Sequence, residues 1–415
     1  MKKRFAKAIM LLIGASSISA ISAQDISQYT NFSLFGKQFQ VHGFVSEGFS
    51  YTNDNNWLTM DTSKGSFAMT DGGLNLSTQL TDKFRVGAQV YDRDFGQLGE
   101  WHPILDWALG DYRFKPWFGV RAGKVKTALG LYNDTQDMDS LRTFALLPQG
   151  VYPTDMRDST LAHAGGDVYG TVSPPRLGSF SYTGYVGDNM ESIYGGYPYL
   201  LHYQGIYISH SSGLTWGGDL RWNTPAKGLL VGASYENNDL TNTGVMKTAV
   251  APGGPTINVP YSEYARREFI QQFYGEYVIG NLRLDAEFRR FWRDYELDEM
   301  FDMTTSPKTW YVSADYRLSK RFALGAYYSH FVVDWYATIP NYAESPSTSS
   351  PDRHLYDKVV ALRFDVTSNW YAKVEGHFMD GYAGFKYPDG FYPLVNPQGL
   401  KPNTNALVIR TGWSF

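Results

Sequence analysis

The last ten residues of the chain, 406–415, alternate between apolar and polar side chains, and this pattern constrains the fold most strongly. In an extended strand, successive side chains point to opposite faces. One face of such a strand would carry Leu407, Ile409, Thr411, Trp413 and Phe415. The other face would carry Val408, Arg410, Gly412 and Ser414. One face therefore suits lipid, and the other suits water.

The same plan repeats along the chain from Phe39 onward. The alternating segments have about ten residues, which is the length that a tilted strand needs to cross a bilayer. Seven short connections, which we interpret as periplasmic turns, lie at 81–83, 115–116, 174–177, 224–227, 280–281, 319–320 and 367–369. Eight long connections, interpreted as external loops, lie at 52–65, 95–103, 128–163, 188–212, 237–263, 294–308, 333–355 and 380–403. Together these connections predict sixteen strands, with both chain ends on the periplasmic side.

The distribution of charges distinguishes a transmembrane β-barrel from a soluble β-sandwich. A soluble sandwich is the alternative, but a chain of 415 residues would need several such domains, and the sequence shows no linkers between them. A charge on a lipid-facing wall costs about 2–4 kcal/mol at the bilayer midplane, and nearly all strand charges here share a face with Gly, Ser and Tyr. The sequence therefore predicts an all-β protein, a transmembrane antiparallel β-barrel of sixteen strands. A barrel of this size leaves an aqueous lumen, because side chains cannot fill it.

The first residues have the parts of a secretory signal peptide. Lys2, Lys3, Arg4 and Lys7 are basic, the residues from 8 to about 18 are apolar, and residues 19–23 are small and polar. The apolar run is too short to span a bilayer as an anchor. We therefore divide the chain into a signal peptide at 1–23, a short lead segment at 24–38 and a barrel at 39–415.

The composition agrees with a barrel and excludes several other classes of protein. Aromatic residues make up 16% of the chain, and transmembrane barrels use them as girdles at both membrane interfaces. The net charge of −4 excludes a general nucleic-acid binder. The chain has no Cys, which excludes disulfides, Cys-based zinc sites and a thiol nucleophile.

Two segments in the first half carry a resemblance to a known family. They read RAGKVK at 121–126 and LGLY at 129–132. With them, the chain resembles the Gram-negative outer-membrane porin superfamily, including its general and phosphate-selective groups, over the whole mature length. The resemblance implies that the third long loop, 128–163, folds into the lumen and constricts it. It also implies a homotrimer.

The end of the chain adds to this resemblance. A final aromatic residue after an alternating strand is similar to the terminal strand of outer-membrane barrels, where it is part of the assembly signal. The resemblance implies this role for Trp413 and Phe415. It further implies location in the outer membrane of a Gram-negative cell, contact with its lipid and lipopolysaccharide, and insertion by the barrel-assembly machinery.

Charged residues of the third loop and of the inner wall are candidates for the pore constriction. They are Arg85, Arg121, Lys126, Asp134, Asp137, Asp139, Arg142, Arg283, Arg317, Arg363 and Arg410. An acidic loop opposite a basic wall would create a transverse field, which orients dipolar solutes and sets ion preference. Alternatively, the wall arginines pair with neighbouring carboxylates. Inward arginines slightly outnumber inward acids, which favours anions.

Two further patterns predict local structure. Met138, Leu141 and Ala145 have helical spacing, so residues 135–146 of the third loop are predicted to form a helix that Thr135 caps. Tryptophans near predicted strand ends are interpreted as interfacial girdles, and the alternative is a ladder of rings for sliding sugars. These tryptophans are Trp57, Trp101, Trp107, Trp117, Trp292, Trp310, Trp335, Trp370 and Trp413.

The sequence thus predicts a porin whose water-filled channel allows passive diffusion of small hydrophilic solutes and ions. The alternatives are a sugar- or carboxylate-specific channel, a receptor or adhesin without a pore, and a barrel enzyme. Ser329 and His330 come nearest to a catalytic cluster, but adjacent strand residues point to opposite faces. We therefore expect no enzyme activity, and no cofactor, bound metal or nucleic-acid partner. We interpret the acidic loop 294–308 as solvated, with Ca²⁺ binding as the alternative.

Overall fold

The computed structural model describes residues 31–189, 191–249, 254–297, 301–333, 335–337, 350–386 and 395–415. The predicted signal peptide at 1–23 lies outside the described residues, as do parts of the loops predicted at 237–263, 294–308, 333–355 and 380–403. Among the described residues, no helix has the length and apolar character needed to cross a membrane.

Within the described residues, sixteen antiparallel strands form a closed ring, as the alternation predicts. They are β1 Lys37–Thr52, β2 Met69–Thr81, β3 Phe84–Phe95, β4 Ile104–Lys115, β5 Phe118–Lys126, β6 Ala162–Val172, β7 Ser179–Asp188, β8 Ile206–Asn223, β9 Leu229–Ala249, β10 Thr256–Ile279, β11 Leu282–Leu297, β12 Lys308–Arg317, β13 Phe322–Val332, β14 His354–Asp365, β15 Trp370–Asp380 and β16 Asn403–Ser414. Each strand pairs with the next along the chain. Finally, β16 pairs with β1 and closes the barrel.

Three short strands extend this ring without changing its order. Asn31–Leu34 folds back on the start of β1, with Asn31 opposite Gln40. Phe301–Thr305 follows β11 and pairs with its end, and Trp335–Ala337 pairs with Phe301–Thr305 in turn. Phe301–Thr305 lies in the connection between β11 and β12, and Trp335–Ala337 lies in the connection between β13 and β14. Both connections are long loops, so these strands lengthen the wall at its long-loop end.

The two faces of the strands differ as the sequence predicts. In β16, Leu407 and Ile409 are exposed on the outside, whereas Val408 and Arg410 are buried. In β15, Lys373, Glu375 and His377 are completely buried, and Val374 and Phe378 on the other face are exposed. The polar face therefore points into the barrel, and the apolar face forms the outer wall.

The prediction of a loop at 237–263 is largely wrong. β9 continues to Ala249 and β10 begins at Thr256, so these strands have 21 and 24 residues. Gly and Pro residues favoured a loop at this point. However, cross-strand pairing continues to Ala249 opposite Thr256, and the buried Asn242 side chain donates to Glu263 on the neighbouring strand. Pairing with the neighbouring strand outweighs the local turn preference.

The long loops pack together at one end of the barrel. Their buried apolar residues join the ends of the strands in one cluster that includes Leu58, Leu98, Leu146 and Leu200. Trp57 belongs to this cluster, and its ring lies edge-on against His377 with a centroid distance of 4.9 Å. The girdle prediction is therefore wrong for Trp57, because the loop in which it lies folds inward.

The C-terminal residue completes the junction between β16 and β1. The Phe415 amide donates to the Gly43 carbonyl at 3.0 Å, and the Gly43 amide donates to the Phe415 carbonyl at 3.2 Å. A Cβ atom at residue 43 would lie 2.6 Å from Cε1 of the Phe415 ring, so this ring packs where Gly43 has no side chain. The Trp413 ring lies beside it at 4.9 Å.

The variant Phe415→Ala tests the predicted assembly role. We expect a severalfold loss of folded barrel, because the substitution removes the ring that packs on Gly43 while both backbone hydrogen bonds can still form. Folded protein in isolated membranes is measured by heat-dependent electrophoretic mobility. Phe378→Ala is the matched control, since Phe378 is an aromatic residue on the outer face of β15. Equal yields from the two variants would contradict the assembly role.

Candidate pore constriction

The long connection between β5 and β6, residues 127–161, crosses the inside of the barrel, and we call it loop L3. Its main anchor is Lys373 on β15. The Lys373 ammonium is fully buried and donates to the Asp139 carboxylate, the Asp139 carbonyl and the Phe144 carbonyl, each at 2.7 Å. One ammonium thus has three acceptors from the loop, which matches its three N–H donors.

Carboxylates of the opposite wall bind the loop backbone on either side of this anchor. Glu375 accepts hydrogen bonds from the amides of Ala145 at 2.7 Å and Leu146 at 3.3 Å. Further along the wall, Glu287 on β11 accepts the Leu131 amide at 3.0 Å and the Tyr152 hydroxyl at 2.8 Å. These contacts satisfy backbone amides that would otherwise be buried without partners.

Arginines of the same wall bind loop carbonyls. Arg363 donates to the carbonyl of Arg142 at 2.6 Å. Arg410 donates to the Ala145 carbonyl at 3.2 Å and pairs with Asp71 on β2 at 2.6 Å. The loop is therefore held by both signs of charge, and it follows a fixed path across the lumen.

The near wall holds the start and the end of loop L3. Lys126 lies 2.9 Å from Asp137, and the Gln89 amide donates to the same carboxylate at 2.6 Å. Arg157 pairs with Asp106 on β4 at 2.9 Å. Burial opposes ionisation of Asp137, but Lys126 and Arg157 outweigh it and hold its pKa below the ordinary value.

Asp139 is in a similar electrostatic environment. Burial by itself would raise its pKa, but the attraction of Lys373, Arg410 and Arg142 holds the pKa well below the ordinary value. A depressed pKa means that the stabilisation from this carboxylate is complete above its ordinary pKa and is lost only when the pH falls through the lower folded-state pKa. Asp139 therefore stays ionised, and its charge is matched by wall cations.

A second group of charges lies where the strands approach the short turns, and we call it the arginine belt. It consists of Arg85, Arg121, Arg221, Arg283 and Arg317. Each has a carboxylate partner on the inner wall. The nitrogen–oxygen distances are 3.8 Å for Arg85–Asp111, 2.8 Å for Arg121–Asp167, and 2.9 Å for each of Arg221–Asp219, Arg283–Glu276 and Arg317–Asp365.

In every pair of the arginine belt, the arginine is more exposed than its carboxylate partner. The Arg85 side chain is 53% exposed and Asp111 16%, and Arg121 is 26% exposed and Asp167 1%. The carboxylates lie against the wall, and the guanidinium groups reach into the water-accessible space. The belt therefore exposes its guanidinium groups more than its carboxylates.

This architecture is similar to that of several solved structures. Over 93% of this chain and 100% of the other, it is similar to OmpF of Salmonella typhi in complex with daunomycin, with 13% identity and a TM-score of 0.55. OmpT of Vibrio cholerae gives 12% identity and a TM-score of 0.55 over the same shares. The anion-selective porin of Comamonas acidovorans gives 11% identity and a TM-score of 0.52 over 91% of this chain and 100% of that one. The chain has the fold of the outer-membrane porins.

This porin-like fold confirms the architecture that the sequence resemblance implied. No family model matches the sequence, and no curated protein matches it. At 11–13% identity, the similarity is one of fold, and the functional residues have to be argued from this chain alone.

The eleven predicted constriction residues separate into two regions of the porin-like barrel. Six of them form contacts between loop L3 and the wall or within the loop, namely Lys126, Asp137, Asp139, Arg142, Arg363 and Arg410. Four belong to the arginine belt, namely Arg85, Arg121, Arg283 and Arg317. Asp134 is half-buried, and its carbonyl accepts from Lys126 at 2.9 Å. The sequence allowed two interpretations of the wall arginines, a transverse field and pairing with neighbouring carboxylates. In the arginine belt, each arginine pairs with a carboxylate.

The helix predicted at 135–146 is wrong. This part of loop L3 contains a single 3₁₀ turn at Asp139–Leu141, after another at Asn133–Thr135, and Thr135 caps neither. Amides and carbonyls that a helix would pair internally are instead bound by wall side chains such as Glu375, Lys373 and Arg363. Contacts with the wall have replaced the helical hydrogen bonds.

The constriction candidates did not include the residues that anchor the loop, chiefly Lys373, Glu287, Glu375 and Arg157, although alternation places the first three on the inner face and Arg157 lies in the loop itself. Alternation places Glu287 and Glu375 on the inner face, but it does not reveal which loop amide each accepts. Ser329 and His330 behave as predicted, since Ser329 is buried and the His330 ring stacks on Tyr356 at 4.5 Å.

The variant Lys373→Met tests the anchoring of loop L3. We expect the free energy of unfolding in lipid bilayers to fall by about 3–5 kcal/mol, because Asp139 loses the nearest cation of a buried ion pair. Lys64→Met is the matched control. Lys64 forms an exposed pair with Asp61, and such pairs contribute about 0–1 kcal/mol. Similar losses in the two variants, measured by urea titration, would show that Lys373 does not anchor the loop.

Proposed function

We propose that this chain forms a water-filled channel in the outer membrane of a Gram-negative cell, for passive diffusion of small hydrophilic solutes with a preference for anions. The observation that carries the proposal is the arginine belt, in which each arginine is more exposed than its partner carboxylate. A permeating ion would meet guanidinium groups before carboxylates. The porin-like fold supports a channel in general.

The physical basis of the anion preference is the geometry of these pairs. An ion pair whose two ends were equally exposed would have little net effect on a passing ion. Here, the buried end faces the wall and the exposed end faces the passage, so each pair acts as an inward-pointing dipole. Charges in a narrow, low-dielectric passage act more strongly than they would in bulk water. Several such dipoles would raise the local concentration of anions.

The cellular context follows from the same proposal. A closed ring with an apolar outer face suits the lipid of a bilayer, because no strand edge needs water. Export through the signal peptide at 1–23, insertion by the barrel-assembly machinery, contact with lipopolysaccharide and assembly as a homotrimer complete the proposal. The resemblance noted in the sequence supports each of these steps.

A carboxylate-specific channel is the second candidate, and the arginine belt favours it over a sugar-specific channel. Guanidinium groups match carboxylates through paired, parallel hydrogen bonds. If a dicarboxylate such as succinate interrupts the chloride current at concentrations at which sulfate has no effect, the specific channel is the better description. Equal behaviour of the two anions would favour general diffusion.

Reversal potentials in a salt gradient test the anion preference. Arg121→Gln should lower the anion-to-cation permeability ratio by roughly twofold, because belt charges contribute potentials of the order of the thermal energy. Arg266→Gln is the matched control, since Arg266 is an exposed arginine on β10 whose partner is Glu296.

Three results bear on the proposal in different ways. A conducting channel whose selectivity responds to Arg121→Gln and not to Arg266→Gln is the expected result. A conducting channel that is unaffected by Arg121→Gln would remove the belt from the conduction path. A folded, inserted protein without conductance would overturn the channel itself.

A further inference from the structure

A cavity of about 130 Å³ lies at the long-loop end of the barrel, between loop L3 and the outer loops. Apolar side chains form much of its wall, including Trp57, Leu240, Ile270 and Phe331. For comparison, an apolar cavity of about 150 Å³ can hold a benzene molecule. The cavity therefore has room for one small aromatic or branched apolar group.

Some of the side chains that line this cavity have buried polar atoms without hydrogen-bond partners. Three cavity-lining side chains, Glu191, Asn238 and Thr309, each have a buried oxygen that makes no hydrogen bond within the described part of the chain. These atoms are Glu191 Oε2, Asn238 Oδ1 and Thr309 Oγ1. Buried polar atoms in folded proteins nearly always have a partner, so this convergence indicates a ligand that donates hydrogen bonds.

The hydrogen bonds around the cavity explain why acceptors remain. The Asn238 amide nitrogen donates to both Glu236 and Glu268, at 3.0 and 3.1 Å, and the amide oxygen is left without a hydrogen-bond partner. Arg293 is engaged by Glu263 and, at 3.1 Å, by Glu268. The charged side chains that line the cavity are Asp155, Glu191 and Glu268 on one side and Arg289 and Arg293 on the other, so carboxylates outnumber cations by one. The atoms without partners on Glu191, Asn238 and Thr309 are all oxygens, which can accept hydrogen bonds.

Glu191 is the carboxyl group at the centre of this arrangement. It lies in the connection between β7 and β8, and it faces Glu268 and Glu263 on β10, Arg293 on β11 and Ser159 on loop L3. Burial and the repulsion of Glu268 raise the pKa of Glu191 to about 8. A cation bound beside Glu191 would stabilise the ionised form, so the cation and the proton compete for one site.

We propose that this cavity binds a small organic ammonium ion with an aromatic or branched apolar body, and that Glu191 recognises the ammonium group. The N–H groups of the ammonium donate hydrogen bonds to the oxygens of Glu191, Asn238 and Thr309 that have no partner. The apolar body fills the space between Leu240, Ile270 and Phe331, and aromatic walls also attract cations.

Other ligand classes fit the cavity less well. An anion would face the carboxylates of Glu191 and Glu268, and the two arginines that line the cavity already have acceptors, since Arg293 pairs with Glu263 and Glu268 and Arg289 donates to the Val151 carbonyl. Within the described residues, no group of three or more His, Cys, Asp or Glu side chains is arranged to hold a metal ion. Binding in this cavity does not require conduction, so this inference stands apart from the proposed channel.

The test uses the purified, folded protein and benzylammonium as the probe, with binding measured by titration calorimetry. Glu191→Gln should weaken binding by roughly tenfold or more, because a hydrogen bond to a charged group is replaced by a neutral contact. The matched control is Asp61→Asn, which removes an exposed loop carboxylate away from the cavity. Benzyl alcohol and benzoate, the neutral and anionic counterparts, should bind more weakly than benzylammonium.

The pH profile and a second variant protect the test against loss of folding. Benzylammonium affinity should rise as the pH is raised through about 8, because Glu191 ionises there, and this rise should disappear in Glu191→Gln. Leu240→Trp should block binding by filling the cavity while Glu191 is retained. Heat-dependent electrophoretic mobility verifies that each variant is folded.

The outcomes separate this inference from the channel proposal. Binding that depends on Glu191 supports the cavity site, whether or not the protein conducts. A conducting protein that does not bind benzylammonium, or binds it equally well as Glu191→Gln, would overturn the cavity site and leave the channel proposal intact. Stronger binding of benzoate would also overturn it.

Discussion

Lipid offers no hydrogen bonds, so every amide and carbonyl of a membrane wall needs a partner within the wall. The closed ring of sixteen strands meets this constraint, and the pairing of β16 with β1 is the step that completes it. Because strands alternate, the same constraint sends half of the side chains inward. The interior therefore inherits a dense set of charges, and these charges have to be satisfied by one another or by loop L3.

Loop L3 shows how that requirement is met. Lys373 and Asp139 are both buried, and removing such a pair from water offsets much of its attraction. The pair is consequently a weak source of stability as a whole, although loss of one partner is costly. Its value lies in position, since one ammonium with three loop acceptors permits few alternative paths for the backbone. Glu287 and Glu375 add the same kind of restriction through loop amides.

The alternation of side chains predicted the strands and their faces. It did not predict contacts between residues that are far apart in the sequence. Alternation located the strands and assigned Arg410 to the inner face. It could not predict that Glu287 would bind the amide of Leu131, which is 156 residues away in the sequence. The predicted helix failed for the same reason, because Glu375 and Arg363 compete for the loop's own hydrogen-bonding groups. The girdle prediction for Trp57 was wrong because other loops bury this side chain, and the sequence around Trp57 does not show that contact.

The two proposed regions can have opposite preferences because wall cations offset most of the acidic charge of loop L3. Asp137 and Asp139 are each matched by cations, so the sign of the field on either side is set by the wall. At the long-loop end, unused oxygen acceptors surround Glu191, whereas near the short turns, exposed guanidinium groups face the water. Salt limits the reach of each field to about 10 Å at 0.1 M. A solute therefore responds to the region that it occupies, and a cation site at the mouth is compatible with an anion preference beyond the loop.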